Sequence, residues 1–164
     1  MSYSYEEEEK VIPQEKLDIV EVVIPKEKKS IGAGEFEDCI NLNKVTFEEG
    51  SQVQTIWNQA FKNCRSLKII ELPDSVVTLW NDAFEGCTAL KSVKLSNAIN
   101  DIWNTVFKNC TALEQIVMPS STKKIWGNVF EGCDNLKTVF VHPGSWMLNH
   151  KELFNGVTPT PLPQ

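Results

Sequence analysis

The chain has 164 residues, a net charge of −6, 41% apolar and 23% charged residues, a composition that suits an ordinary soluble domain or a repeat array. The acidic balance argues against non-specific nucleic-acid binding, in which Lys and Arg must meet phosphates. No apolar run reaches the ~18 residues of a membrane-crossing helix, so no membrane insertion is expected.

Residues 1–16 read as a polar, acidic leader and N-terminal cap. Its opening, MSYSYEEEEK, lacks the basic-then-apolar order of a signal peptide, so the chain as it stands is not expected to be routed for secretion. Residues 17–141 then divide into five stacked units of 23–25 residues. Trp57, Trp80, Trp103 and Trp126 stand 23 residues apart, as do Phe61, Phe84, Phe107 and Phe130, and Cys64, Cys87, Cys110 and Cys133. The interval from Cys39 to Cys64 is 25, and its two added residues fall near Glu49-Gly50-Ser51. A fixed period of this length marks units that bury their apolar faces only against one another.

Each unit opens with a strand of the pattern L-x-x-[IV]-x-[LIFMV], as in Leu67, Ile70 and Leu72 or Leu90, Val93 and Leu95, whose apolar positions face a core. Pro25, Pro73 and Pro119 follow three of these strands and end them, because proline offers no ladder donor. A second short apolar stretch such as Val76–Leu79 leads into IWNQAFKNC, LWNDAFEGC, IWNTVFKNC and IWGNVFEGC. Their Asn or Asp before the Phe and Gly or Asn before the Cys suggest a single helical turn, held by packing. Residues 142–157 read as a degenerate capping repeat. There Val141, Leu148 and Leu153 keep the register of Met118, Ile125 and Phe130, and Asn149 falls at the tryptophan position. Residues 158–164, TPTPLPQ, read as an extended Pro-rich tail.

The five cysteines form one column, one per unit, with no C-x-x-C pair of the kind a metal site wants. Parallel side chains on stacked repeats do not offer the crossed geometry of a disulfide, so free, buried and unreactive thiols are expected. The two histidines, His142 and His150, lie in the capping region, and no Gly-rich phosphate loop occurs. Without a converging acid, base or nucleophile the reading is of no catalytic residue, no cofactor and no enzyme.

The units resemble the leucine-rich repeats of the BspA-like, or Treponema pallidum type, family. The family pattern, roughly L-x-x-I-x-[LI]-P-x-[ST]-[VL]-x-x-I-G-x-x-A-F-x-x-C, is matched by Leu67, Ile70, Leu72, Pro73, Ser75, Val76, Leu79, Ala83, Phe84 and Cys87, and the likeness runs over about residues 19 to 145. It implies a leucine-rich-repeat solenoid, α/β horseshoe-like but mostly β. A parallel sheet would line its concave side, with short strands and single helical turns on the convex side. It also implies a non-catalytic, adhesin-like protein-interaction module, at the cell surface or secreted, with no shared catalytic residues. One departure is systematic: the family's glycine after the Ile, kept here as Gly32, gives way to tryptophan in four repeats.

Two candidate binding surfaces follow. Alternation places Lys44, Ile69, Ser92, Gln115 and Thr138 in one outward row of the concave sheet, and Thr46, Glu71, Lys94, Val117 and Phe140 in a second. Of these, Glu71, Lys94, Val117 and Phe140 are the candidate contacts for a protein partner. The other surface is the tryptophan column, flanked by Asn58, Asn81, Asn104 and Asn128. Indoles on stacked repeats would lie about 4.8 Å apart, within reach of offset aromatic pairing. Such a strip can stack glycan rings, bury itself against a second copy or another protein, or stack on itself and bind nothing. Engineering of a repeat scaffold and natural homogenisation of repeats would each put tryptophan in four successive units. A positive φ at Gly32's position would penalise tryptophan heavily, so either the backbone there is ordinary or the glycine only leaves room.

Overall fold

A computed structural model of the chain describes residues 11–164, so most of the leader assigned to residues 1–16 lies outside the described residues. A short helix, α1 (Gln14–Leu17), precedes the solenoid, and the Lys16 ammonium reaches down to the carbonyl of Glu37. Each turn then supplies one longer and one two-residue strand. In chain order these are β1 (Glu21–Ile24) and β2 (Ser30–Ile31), β3 (Lys44–Phe47) and β4 (Thr55–Ile56), β5 (Ile69–Glu71) and β6 (Thr78–Leu79), β7 (Ser92–Lys94) and β8 (Asp101–Ile102), β9 (Gln115–Val117) and β10 (Lys124–Ile125), and β11 (Thr138–Val141). All pairings are parallel and advance by one repeat, as in Ile70 opposite Val93 and Ile116 opposite Val139.

The long strands line the concave side and alternate as a half-buried sheet should, with Ile70 buried between exposed Ile69 and Glu71. Their inward residues join the Phe and Cys columns in one core cluster. The phenylalanine rings stack at centroid distances of 5.3, 5.2, 5.6 and 5.6 Å from Phe36 to Phe130. The column of cysteines has a polar reason as well as a steric one. The Cys64, Cys87 and Cys110 thiols each donate to the carbonyl of Phe36, Phe61 and Phe84 at 3.2 Å, and Cys133 to Phe107 at 2.9 Å. A small apolar side chain with a weak donor adds a second bond to a buried carbonyl that already accepts the amide of the preceding repeat's cysteine.

The segments before the cysteines are not helical turns. The amides of Ala60 and Lys62 close tight turns onto Trp57 and Gln59, while those of Gln59, Phe61 and Asn63 donate to Asn81, Ala83 and Glu85 of the next repeat. A helix would use these donors internally. Sending alternate amides outward requires left-handed residues, found at Gln59 and Asn63 (both φ 61) and at Asp82 (φ 61) and Gly86 (φ 74). The Asn or Gly before each cysteine is therefore a left-handed residue, not a helix stop. Gly86 and Gly132 answer a second demand: an added Cβ would lie 2.3 and 2.0 Å from Oδ1 of Asn63 and Asn109. The repeats alternate Lys-Asn-Cys with Glu-Gly-Cys, and Lys62 pairs with Glu85 at 3.2 Å and Lys108 with Glu131 at 4.0 Å.

The sheet of short strands is continuous from β2 to β10. The ladder of long strands is not: it breaks between β3 and β5 and between β7 and β9. The first break falls where the repeat interval is 25 instead of 23.

At the far end two 3₁₀ turns, Trp146–Asn149 and Lys151–Phe154, replace the last short strand. The register expected for Leu148 and Leu153 does not hold. Met147 and Phe154 are fully buried, whereas Leu148 and Leu153 are only partly so, and the Phe154 ring continues the column 5.6 Å from Phe130, tilted by 38°. A 3₁₀ turn rises only ~2 Å per residue against ~3.3 Å in a strand, so a cap built from it does not keep the strand's count. Residues beyond the cap lie along the edge: β12 (Thr160–Pro161) pairs in parallel with β11, and the Leu162 amide donates to Val141. Pro161 and Pro163 present no N–H there, which blunts the edge as a template for further strands.

Candidate functional site

The four tryptophans follow the inward Ile56, Leu79, Ile102 and Ile125 and emerge on the outer surface. Their amides donate to Ile31, Ile56, Leu79 and Ile102, one repeat back, and none has a positive φ. Gly32 has no positive φ either, so the backbone at this position is ordinary and the glycine leaves room. The indoles stack face to face: centroids lie 5.4, 4.5 and 4.7 Å apart, each pair at 13°. Trp57 and Trp126 remain 41% and 40% exposed, while Trp80 and Trp103, with a ring on each side, are half-buried. The Lys124 ammonium lies 6.0 Å from the Trp126 ring.

The flanking asparagines are engaged chiefly through their backbone, and only Asn81 also through its side chain. The carbonyls of Asn58, Asn81 and Asn104 accept the amides of Gly34, Gln59 and Asp82, and Asn81 Oδ1 accepts the Asn104 amide at 3.1 Å. Asn128 does not belong to this column. Gly127 follows Trp126, so Asn128 takes the left-handed place of Gln59 and Asp82, at φ 63.

On the concave sheet Glu71 and Lys94 stand opposite each other in register and are exposed, as Val117 is, while Phe140 is half-buried beside it. The same face carries two further exposed apolar residues, Ile69 (57%) and Val23 (61%), against 44% for Val117. Val23 was not among the expected contacts, although it pairs with Thr46 and so extends that outward row by one strand.

The thiols are free, and burial pushes all five above their ordinary value of 9.0, Cys133 up to about 11. A thiol kept protonated is neither nucleophile nor metal ligand. Of the histidines, His150 contacts Glu152 at 2.6 Å in the exposed cap, and this bond lowers the glutamate's pKa. Among the described residues no group of three or more His, Cys, Asp or Glu side chains is placed to hold a metal ion, and no helix is long and apolar enough to cross a membrane.

Similarity to known proteins agrees with this architecture. A search of curated proteins finds no significant match. Among solved structures, the T. pallidum leucine-rich repeat protein has the same fold, with a TM-score of 0.74 at 24% identity over 87% of this chain and 71% of its own. The pneumococcal vaccine antigen PcpA gives a TM-score of 0.68 at 28% identity over 77% of this chain. A leucine-rich cell surface protein of Faecalibacterium prausnitzii gives 0.59 at 26% identity over 74%. The chain spans 31% and 38% of the length of those last two structures. The profile of the BspA-type leucine-rich repeat region matches residues 14–139 in six copies, and the chain belongs to that family.

Proposed function

We propose that the chain is a non-catalytic protein-binding module of an adhesin-like protein at the cell surface, and that the concave sheet is its binding face. The observation that carries this reading is the exposure of Val23, Ile69 and Val117 on outward positions of the long strands. Repeat packing needs no apolar side chain there, and apolar side chains exposed on one face are characteristic of interaction surfaces. Glu71 and Lys94 lie among them and would set orientation and register against a partner. The surface location of the F. prausnitzii relative supports the same setting.

A second reading, self-association or glycan binding through the tryptophans, rests on the exposure of Trp57 and Trp126. It is the weaker one, because the indole faces on which a sugar ring would stack are largely taken up by neighbouring indoles. The test is binding to a panel of purified extracellular proteins by the wild type and by a variant combining Glu71→Ala, Lys94→Ala, Val117→Asp and Phe140→Ala. Binding lost in this variant and kept by Trp57→Ala/Trp126→Ala is expected. Binding that survives all four concave substitutions would overturn the assignment, and a glycan-array signal lost with the tryptophans would favour the second reading.

A further inference from the structure

We propose that the open face of Trp57, at the N-terminal end of the indole ladder, is a binding site for one neutral pyranose ring of a glycan. The ring lies as a further rung in the space that Gly32 leaves. The proposal rests on the tryptophan reading, narrowed from the whole strip to one rung, and not on the concave sheet.

Most of the strip is closed to a ligand ring. Trp80 and Trp103 carry an indole against each face, whereas Trp57 keeps one face free and is 41% exposed. Ile31 stands in register opposite Ile56, and the Trp57 amide donates to the Ile31 carbonyl, so Gly32 is the residue one rung before Trp57. An added Cβ at Gly32 would meet a single atom within 4 Å, Oε1 of Glu35 at 3.3 Å. A ring stacked on Trp57 at the ladder's own spacing of 4.5 to 5.4 Å therefore takes the place that a side chain of residue 32 would fill. The other end of the ladder differs. The Lys124 ammonium lies 6.0 Å from the Trp126 ring, and the turn that follows is the 3₁₀ cap.

The groups beside this face select the kind of ring. Glu35 Oε1 accepts the Gly32 amide at 3.0 Å and pairs with the Lys28 ammonium at 3.0 Å, and both side chains remain partly exposed. Among the described residues Glu35 Oε2 has no further partner, the Lys28 ammonium keeps donors to spare, and the exposed Asn58 side chain makes no hydrogen bond. An apolar surface edged by a few polar groups that fix orientation is the usual build of a small-molecule site. A pyranose matches both parts. Its axial C–H bonds make one face apolar, able to lie on the indole, while its hydroxyls donate and accept and so meet a carboxylate, an ammonium and an amide alike. A phenyl ring would stack as well but offers nothing to those three groups. The carboxylate and the ammonium already neutralise each other, so a charged sugar gains no net attraction and a neutral one is favoured.

The experiment titrates the full chain with methyl β-D-glucopyranoside, methyl β-D-galactopyranoside and methyl α-D-mannopyranoside. Binding is read by saturation transfer to the sugar and located by the indole Nε1–H resonances. At least one sugar should shift the Trp57 resonance saturably, in the millimolar range that so small a ligand reaches. Trp57→Ala should abolish the binding, and so should Gly32→Trp, which fills the rung with a ring of the protein's own. Lys28→Ala/Asn58→Ala should weaken it about threefold or more through lost hydrogen bonds. Trp126→Ala and the variant with four concave substitutions should bind as the wild type does. Thermal melts confirm that each variant is folded. No saturable shift with any of the three sugars, or binding that Gly32→Trp leaves intact, overturns the proposal. Binding lost with Trp126→Ala and kept by Gly32→Trp would retain the tryptophan reading and remove this rung. If p-cresol, a stand-in for a tyrosine side chain, binds Trp57 and no sugar does, the rung takes an aromatic residue of a protein, which also overturns the proposal. The concave substitutions lie outside this site, so its failure leaves the protein-binding reading standing.

Discussion

The phenylalanine column and the tryptophan column arise from the same repeat and stack at similar distances, yet they do different things. Phe61, Phe84 and Phe107 are wholly buried and have ring neighbours on both sides. The tryptophans stack equally well on the surface, where Gly32 marks a turn of the same solenoid built without one. Stacking repeats turns any residue type into a column, and burial decides whether the fold depends on it. A column's regularity is therefore no evidence of binding. The face least regular in sequence, the concave sheet, carries the unpaired charges and exposed apolar side chains.

Removing a ring from each column tests this difference. Phe84→Ala should cost about 3–5 kcal/mol, seen as a large drop in denaturant midpoint, because it leaves a cavity between two rings in a closed core. The thiols give the next largest effect, and its sign is fixed. Each thiol's folded pKa lies above its unfolded value of 9.0, so the folded chain holds protons that the unfolded chain has released. Stability is complete below pH 9 and falls as pH rises, with the Cys133 contribution lost by about pH 11. Urea titrations at pH 7, 9 and 10.5 measure this, and Cys133→Ala should flatten the slope. Trp80→Ala should cost only about 1–2 kcal/mol, the worth of two aromatic pairs at a partly open site. A loss as large as that of Phe84→Ala would make the tryptophan column part of the core.

The smallest change runs the other way. Gly32→Trp should extend the ladder and raise stability by about 0.5–1 kcal/mol. The backbone there is ordinary, and an added Cβ would meet only Glu35 Oε1, at 3.3 Å. The offset is the hydrogen bond from the Gly32 amide to that carboxylate, at 3.0 Å. A lower melting temperature would mean that this capping bond outweighs the added stack.

The columns were legible because the 23-residue period aligns residues directly, and indole stacking followed from strand spacing alone. The backbone between columns was less so. Asn and Gly before cysteine serve equally as helix stops and as left-handed residues within a turn, and only the inter-repeat hydrogen bonds distinguish the two. Asn128 was misplaced because Gly127 shifts the asparagine by one position. The cap shifted because its 3₁₀ turns rise less per residue than a strand. The break in the long-strand ladder was the least legible feature. Two added residues were visible at Glu49 to Ser51, but no local pattern says that the strand ladder opens beside them.

The most direct test of the ladder as a self-contained structural column is circular dichroism of the indole bands over a range of protein concentrations. The account predicts a two-signed exciton couplet that does not change with concentration, vanishes on unfolding, and is reduced more by Trp80→Phe, which has two indole neighbours, than by Trp57→Phe, which has one. A couplet that is absent, or that grows with concentration, would contradict it and mark the tryptophans as an interface between chains.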